Sequence, residues 1–192
     1  MKAWILGTVA AIAAYTSPAA ARELEAYLQC VPYARDASGI AIYGDAHSWW
    51  NQAEGRYERG RTPREGAVMS FPSHRGMRLG HVATVSKVVD SRRVLLSHAN
   101  WSPIDGRRGR VELDVPAIDV SPNNDWSQVR VWYAPIGALG STPWPVNGFI
   151  YPQKAKTPAR GNVTARIASA RSVKNLPSVA EAFADFGPVA AR

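Results

Sequence analysis

The sequence predicts an α+β domain in which N-terminal helices pack on an antiparallel β-sheet, followed by a tail with little regular structure. Three observations predict this fold class. Two helix-like segments come first, over residues 30–39 and 45–55. Five runs rich in β-branched and aromatic residues follow, separated by Gly, Pro, Asn and Asp. Helices that precede strands, without alternation, are typical of α+β domains.

The two predicted helices have recognisable ends. The segment "CVPYARDASG" begins at Cys30, tolerates Pro32 in its first turn and ends at Gly39. The segment "GDAHSWWNQAEG" begins after Asp45, a favourable N-cap residue, and ends at Gly55.

The five predicted strands follow a turn-rich connector, "RGRTPREG". They are "AVMSF", "HVATVSKVV", "RVLLSHA", "RVELDV" and "QVRVWY". Their composition fits a pleated, half-buried surface, and the turn residues between them favour antiparallel neighbours. With the helices they predict a compact domain over residues 22–136.

Residues 1–21 have the pattern of a secretory signal peptide. Lys2 supplies the positive start, an apolar stretch follows, and small residues precede Arg22. The apolar run is short for a membrane span, which needs roughly 20 residues, although an uncleaved N-terminal anchor is the alternative. We therefore expect an exported protein, periplasmic or extracellular, without a transmembrane segment after signal cleavage.

Residues 137–192 predict a Pro- and Gly-rich basic tail, largely disordered, with one possible short helix over 178–186. The chain has a net charge of +8, and seven basic against two acidic residues lie in this tail. An exported basic tail suits anionic envelope polymers better than nucleic acid. The alternative is a solvated tail whose charge aids solubility.

Cys30 is the only cysteine, which excludes an intramolecular disulfide and any metal site with several cysteines. Exported proteins usually pair their cysteines, so an unpaired thiol favours a nucleophile. A helix that begins at Cys30 would lower the pKa of the thiol through its free N–H groups. The alternative is a buried and inert cysteine.

Histidines supply the base that such a thiol needs. His81 follows a glycine and begins a strong predicted strand, where a rigid sheet could hold it beside a cleft. His98 and Asn100 are two residues apart, so they share one face of a predicted strand and either could orient His81. A metal site formed by His74, His81 and His98 is the alternative, although no paired-ligand motif supports it.

Five motifs in order strengthen this interpretation: "QCVPYA", "GDAHSWW", "TPREGAVMSF", "GHVATV" and "LLSHAN". Their order and spacing resemble the CHAP domain, the cysteine- and histidine-dependent amidohydrolase/peptidase, over roughly residues 24–134. The resemblance implies a papain-like CHAP fold. It also implies a hydrolase of amide or peptide bonds, either a cysteine peptidase or an N-acetylmuramoyl-L-alanine amidase, that needs no cofactor and no metal.

The resemblance assigns the catalytic roles. Cys30 takes the place of the nucleophile and His81 that of the base. His98 falls where the family usually has an acidic third residue, and Asn100 matches the asparagine two positions later. The histidine at position 98 departs from the family pattern, because it offers no fixed negative charge at neutral pH.

Other residues are candidates for substrate binding. Gln29 and Tyr33 match the family and are expected to line the site, and Trp101 follows Asn100. Arg75 and Arg78 could meet carboxylates, or form an ordinary solvated loop. Either Trp49 or Trp50 is expected to fill the core rather than a groove.

The expected function is an exported cysteine amidase or endopeptidase acting on peptidoglycan or its stem peptides. Two alternatives remain. One is a non-catalytic module that binds the cell envelope. The other is a CHAP-type amidase with a substrate outside the cell wall.

Overall fold

The computed structural model describes residues 27–152, which form mostly antiparallel sheet with a few short helices. The predicted signal peptide, the possible helix over 178–186 and most of the predicted tail lie outside the described residues. Within residues 27–152, no helix is long and apolar enough to cross a membrane.

The first helix has the predicted bounds. Helix α1 spans Cys30–Ser38, and Gly39 ends it with a left-handed φ of +75° while its N–H donates to the Arg35 carbonyl. The second segment differs from the prediction. It forms a 3₁₀ turn over Ala46–Ser48 and a one-turn helix, α2, over Trp49–Gln52. The helix therefore ends before Gly55.

Between residues 27 and 152, nine strands form one sheet, in the order β1-β9-β2-β3-β4-β5-β6-β7, with β8 paired to β6, and every pairing is antiparallel. The strands are β1 Glu58–Gly60, β2 Val68–Phe71, β3 His81–Val88, β4 Arg93–Ala99, β5 Val111–Asp119, β6 Gln128–Tyr133, β7 Ala138–Leu139, β8 Trp144–Pro145 and β9 Gly148–Tyr151. A second 3₁₀ turn spans Ala134–Ile136. The five predicted strands correspond to β2 to β6.

The sheet continues past residue 136, where the sequence predicts the domain to end. Strand β9 lies between β1 and β2 and pairs with both. Phe149 and Ile150 are fully buried there. The structure therefore corrects the interpretation of residues 137–152 as linker. A strand of only four residues, most of them apolar, forms inside the sheet because it pairs with a strand on each side, even among many Pro and Gly.

Two apolar clusters lie on opposite faces of the sheet, since neighbouring side chains of a strand alternate. The larger cluster contains Ala83 and Val85 of β3. Val82, which points the other way, shares the second cluster with Cys30, Ala34 and Trp49. Trp49 is fully buried there, which agrees with its predicted place in the core.

Candidate active site

A cleft of about 1190 Å³ lies where β3 begins and β4 ends. Cys30 and His81 both line it. The other lining residues are Gln29, Val31, Pro32, Gly44, Asp45, Ala46, Gly76, Met77, Arg78, Leu79, Gly80, Asn100, Trp101, Arg108, Val131, Tyr133, Ile136, Gly140, Ser141, Thr142 and Trp144. The cleft thus combines an apolar and aromatic wall with a thiol and an imidazole.

Cys30 is the first residue of α1 and is 9% exposed. Burial raises the pKa of its thiol, while the backbone N–H groups of Val82, Val31 and Cys30 itself act in the opposite direction. The expected lowering by the helix start is therefore present but smaller than the cost of burying a thiolate. Val82 follows His81 directly, so the thiol lies beside the backbone that carries the imidazole.

The imidazoles of His81 and His98 meet inside the protein. Nε2 of His81 and Nδ1 of His98 are 3.0 Å apart. Burial lowers the pKa of both rings, to about 3 for His81 and well below 6.5 for His98, whose pKa the neighbouring His81 lowers further. Both rings are therefore neutral at neutral pH, and one donates its N–H to the other.

Aromatic rings fix the orientation of this pair. The rings of Phe71 and Trp101 lie 5.7 and 4.9 Å from that of His81, centroid to centroid. Trp101 also stacks on His98 at 5.6 Å and 23°, and its indole N–H donates to the Trp132 carbonyl. The imidazoles consequently have little freedom to rotate.

Gly80 sets the position of His81 through its backbone. Its φ is +69°, and a Cβ atom at this position would lie 2.7 Å from both the His47 nitrogen and the Phe71 carbonyl oxygen. The His47 N–H also donates to the Leu79 carbonyl at 2.8 Å. Only glycine lets the 3₁₀ turn and β2 approach the start of β3 so closely.

Asn100 lies in the cleft but its amide bonds away from His81. Its Nδ2 donates to Oε1 of Gln29 at 2.9 Å, and its Oδ1 accepts the Gly109 N–H at 3.0 Å. The Tyr27 hydroxyl donates to the same oxygen at 3.3 Å. Of the two candidates that could orient His81, the structure brings His98 into contact with it and joins Asn100 to the segment before α1.

The residues expected to bind substrate divide into two groups. Gln29, Trp101 and Arg78 line the cleft. Tyr33 is buried under α1 with its hydroxyl facing Ser97, and it lies outside the lining, as does Arg75. Tyr33 lies three residues after Cys30, on the buried face of α1.

Sequence reasoning missed Glu112, Arg108 and Trp144. Glu112 of β5 is fully buried behind His98, with its Oε1 3.8 Å from Nε2 of that residue. Trp144 meets Trp101 edge to face at 5.4 Å, and the Arg108 guanidinium donates to the Trp101 carbonyl. Glu112 in "RVELDV" was the one available signal, an acid within an apolar strand. Trp144 falls in the stretch interpreted as linker.

Among residues 27–152, no three His, Cys, Asp or Glu side chains are grouped so that they could hold a metal ion. Arg78 and Arg108 are among the residues that line the cleft. The site can therefore supply a thiol, a neutral imidazole pair and positive charge from its own side chains.

Comparison with known proteins identifies one family. Residues 21–100 match the model of the CHAP domain, which confirms the resemblance drawn from the motifs. A search of curated proteins finds no similar sequence. The matched range includes Cys30, His81, His98 and Asn100 and ends before Glu112. A CHAP domain indicates, in general, a hydrolase of amide bonds with an amidase or peptidase activity on peptidoglycan.

Proposed function

Because residues 21–100 carry a CHAP domain, we propose that this protein is an exported cysteine amidase or endopeptidase that hydrolyses amide bonds in peptidoglycan peptides. The observation that carries the proposal is the 3.0 Å contact between His81 and His98, made behind a cleft that Cys30 and His81 line together. The helix that begins at Cys30 and the strand that begins at His81 also fit a papain-like arrangement.

The first step is attack by Cys30 on the amide carbonyl. Nε2 of His81 faces His98, so Nδ1 is the nitrogen that receives the thiol proton. Burial raises the pKa of the thiol and lowers that of the imidazole, so the resting pair is neutral and the proton moves as the sulfur attacks. The Cys30 backbone N–H, at the start of α1, helps to hold the developing oxyanion.

The second half of the reaction uses the same proton. Protonated His81 gives it to the leaving amine, which departs and leaves a thioester on Cys30. His81 then takes a proton from water as the water oxygen attacks the thioester carbonyl. The C–S bond breaks, the acid product leaves, and His81 returns the proton to the Cys30 sulfur. His98 orients His81 throughout, as the third member of a triad does.

The cleft suits an acidic peptide next to a bulky group. Arg78 and Arg108 line it and can bind carboxylates of a stem peptide. Trp101 and Trp144, which touch edge to face, offer apolar faces to the sugar or peptide chain. The bond cut lies either between muramic acid and L-alanine or within the stem peptide or cross-bridge. The basic tail would add affinity for anionic envelope polymers.

Lysis of purified peptidoglycan embedded in a gel tests the proposal. Cys30→Ala and His81→Ala should each lower clearing by about 10³-fold or more, because each removes a reacting group. His47→Ala is the matched control, since His47 is exposed and lies outside the cleft. It should clear the gel like the unchanged protein, and full clearing by Cys30→Ala would disprove the mechanism.

Product analysis separates the alternatives. Mass spectrometry of fragments released from defined peptidoglycan identifies the bond, and casein serves as a protein substrate for comparison. Binding to the wall without release of any fragment would instead favour a non-catalytic envelope-binding module. Release of products only from small amide substrates would favour a CHAP-type amidase with a substrate outside the wall.

A further inference from the structure

Glu112 is a buried acid beside His98, the histidine that contacts His81. Its residue lies directly opposite His98 in the β4–β5 pairing, and both side chains are almost fully buried. Oε1 lies 3.8 Å from Nε2 of His98 and accepts the Ser102 N–H at 2.7 Å. Within residues 27–152, Nε2 of His98 and Oε2 of Glu112 are both buried without a hydrogen-bond partner.

Because these atoms are buried and unpaired, a hydrogen bond between Nε2 of His98 and the Glu112 carboxylate is expected. Buried polar atoms in proteins are almost always paired, and a movement of about 1 Å brings Nε2 and a carboxylate oxygen into hydrogen-bond distance. Any other partner for Nε2 of His98 would have to be a second buried group, because the His98 ring is fully buried. Oε1 of Glu112 lies 3.8 Å from that nitrogen, on the strand next to His98.

A bulge in β5 places the acid on this face of the sheet. The register of β4 and β5 shifts between Leu96 and His98, so that His98 faces Glu112. Asp114 has a left-handed φ of +53° at the shift. Without the extra residue Leu113 would lie opposite His98, and the Glu112 side chain would point away from the imidazoles.

The direction of the hydrogen bonds follows from the chemistry of a carboxylate. An ionised carboxylate only accepts, so His98 must carry its proton on Nε2 and offers a bare Nδ1. Nε2 of His81 then donates to that nitrogen across the 3.0 Å contact. The second nitrogen of His81, Nδ1, is left without a proton, which is the form a base needs.

We propose that Glu112 is a positioning residue that acts through His98 and fixes the tautomer in which His81 can accept the Cys30 proton. The CHAP resemblance expects an acid at position 98, in contact with His81. Here that position holds His98, and the carboxylate of Glu112 lies on the far side of the His98 ring, where it supplies the negative charge that His98 lacks. The inference rests on the proposed function, because it assumes that His81 is the base for Cys30.

Burial and the groups around Glu112 act on its carboxyl in opposite directions. The Ser102 N–H and hydroxyl and the positive charge of Arg108 favour the carboxylate, while burial, the larger influence, raises its pKa. A protonated Glu112 would donate to His98 and reverse both imidazole tautomers. The ionised form is therefore the one that supports catalysis.

The first measurement needs no variant. Nitrogen-15 NMR of the imidazoles in the unchanged protein reports which nitrogen carries the proton. We expect His98 to be protonated at Nε2 and His81 also at Nε2. A His98 protonated at Nδ1 at neutral pH would overturn the proposal.

The second measurement compares Glu112→Gln with Asp119→Asn. Both replace one oxygen of a buried carboxylate on β5 by an amide, but Asp119 bonds to Arg92 and Ser121 instead of to the histidines. The rate of Cys30 alkylation by iodoacetamide is followed from pH 5 to 10. We expect Glu112→Gln to lower the alkylation rate at pH 7 by about 10- to 100-fold. Loss of the hydrogen-bond partner that orients a metal-bound histidine has an effect of that size on activity.

The outcomes are distinct. An unchanged alkylation profile in Glu112→Gln, or an equal loss in Asp119→Asn, would overturn the inference, because a merely structural role would affect both variants. Neither NMR nor alkylation uses peptidoglycan. Failure of the unchanged protein to cleave peptidoglycan therefore refutes the proposed function alone. Cleavage together with a reversed His98 tautomer refutes only the role of Glu112.

Discussion

Acidification should destabilise this protein through its two buried imidazoles. An unfolded histidine has a pKa of about 6.5, whereas burial lowers the folded pKa of His81 to about 3 and that of His98 well below 6.5. Between these pKa values the two histidines bind protons in the unfolded chain and do not bind them in the folded chain. Stability is fully present above pH 6.5 and is lost as the pH falls towards the folded pKa.

The magnitude follows from proton linkage. Each histidine contributes a slope of about 1.4 kcal/mol per pH unit below pH 6.5. Moving from pH 7.5 to 5.5 should then lower the free energy of unfolding by about 1.4 kcal/mol per histidine, or about 3 kcal/mol for both. That is a large part of the roughly 5–15 kcal/mol typical of domains. The raised pKa of Glu112 acts with the opposite sign, because the folded carboxyl keeps its proton to a higher pH than the unfolded one; this contribution is lost as the pH rises from about 4.5 to the raised pKa.

Urea unfolding followed by tryptophan fluorescence at the two pH values measures this loss, since the chain has seven tryptophans. His98→Gln should halve the difference, because one of the two titrating rings is gone. Equal stability at both pH values would refute the neutral pair and would instead favour a resting thiolate–imidazolium pair, which raises the folded pKa of His81.

Three further predictions concern packing and the cleft. Gly80→Ala should destabilise the fold by about 2 kcal/mol or more, because the φ of Gly80 is +69° and a Cβ atom there would meet backbone atoms at 2.7 Å. Gly76→Ala is the control: it has open space around it and should change the thermal unfolding temperature little. A chain that ends at residue 136 lacks β9 and should show no cooperative unfolding, whereas one that ends at residue 152 should unfold like the full chain. Trp144→Ala should raise KM for wall fragments by about tenfold and leave kcat within about twofold, since its ring lines the cleft beside Trp101; a lower kcat at unchanged KM would contradict that role.

The elements that carry the site were predicted from short stretches of sequence, because their ends are set by neighbouring residues. The start of α1 at Cys30, its end at Gly39 and the beginning of β3 at His81 follow from capping residues and β-branched runs, which act over a few neighbours. The pairing of His98 with His81 could be anticipated for the same reason, because both lie on predicted neighbouring strands. These elements needed no knowledge of distant contacts.

Features that depend on distant partners escaped prediction. Strand β9 consists of four residues among Pro and Gly, and only its pairing with β1 and β2 makes it a strand. Glu112 reaches the histidines because a bulge at Asp114 changes the face on which it lies, and no residue pattern announces that shift. The upward direction of the pKa shift of the Cys30 thiol was also missed, because it comes from burial, which is a property of the whole fold.

The position of β9 has a consequence for how the domain assembles. Its pairing with β1 joins positions about 90 residues apart, such as Gly60 and Phe149. Closing so long a loop is entropically costly, so we expect this pairing to form late and folding to be slow. Until it forms, β2 presents an open edge, and an open edge is a template for pairing with a strand of another chain.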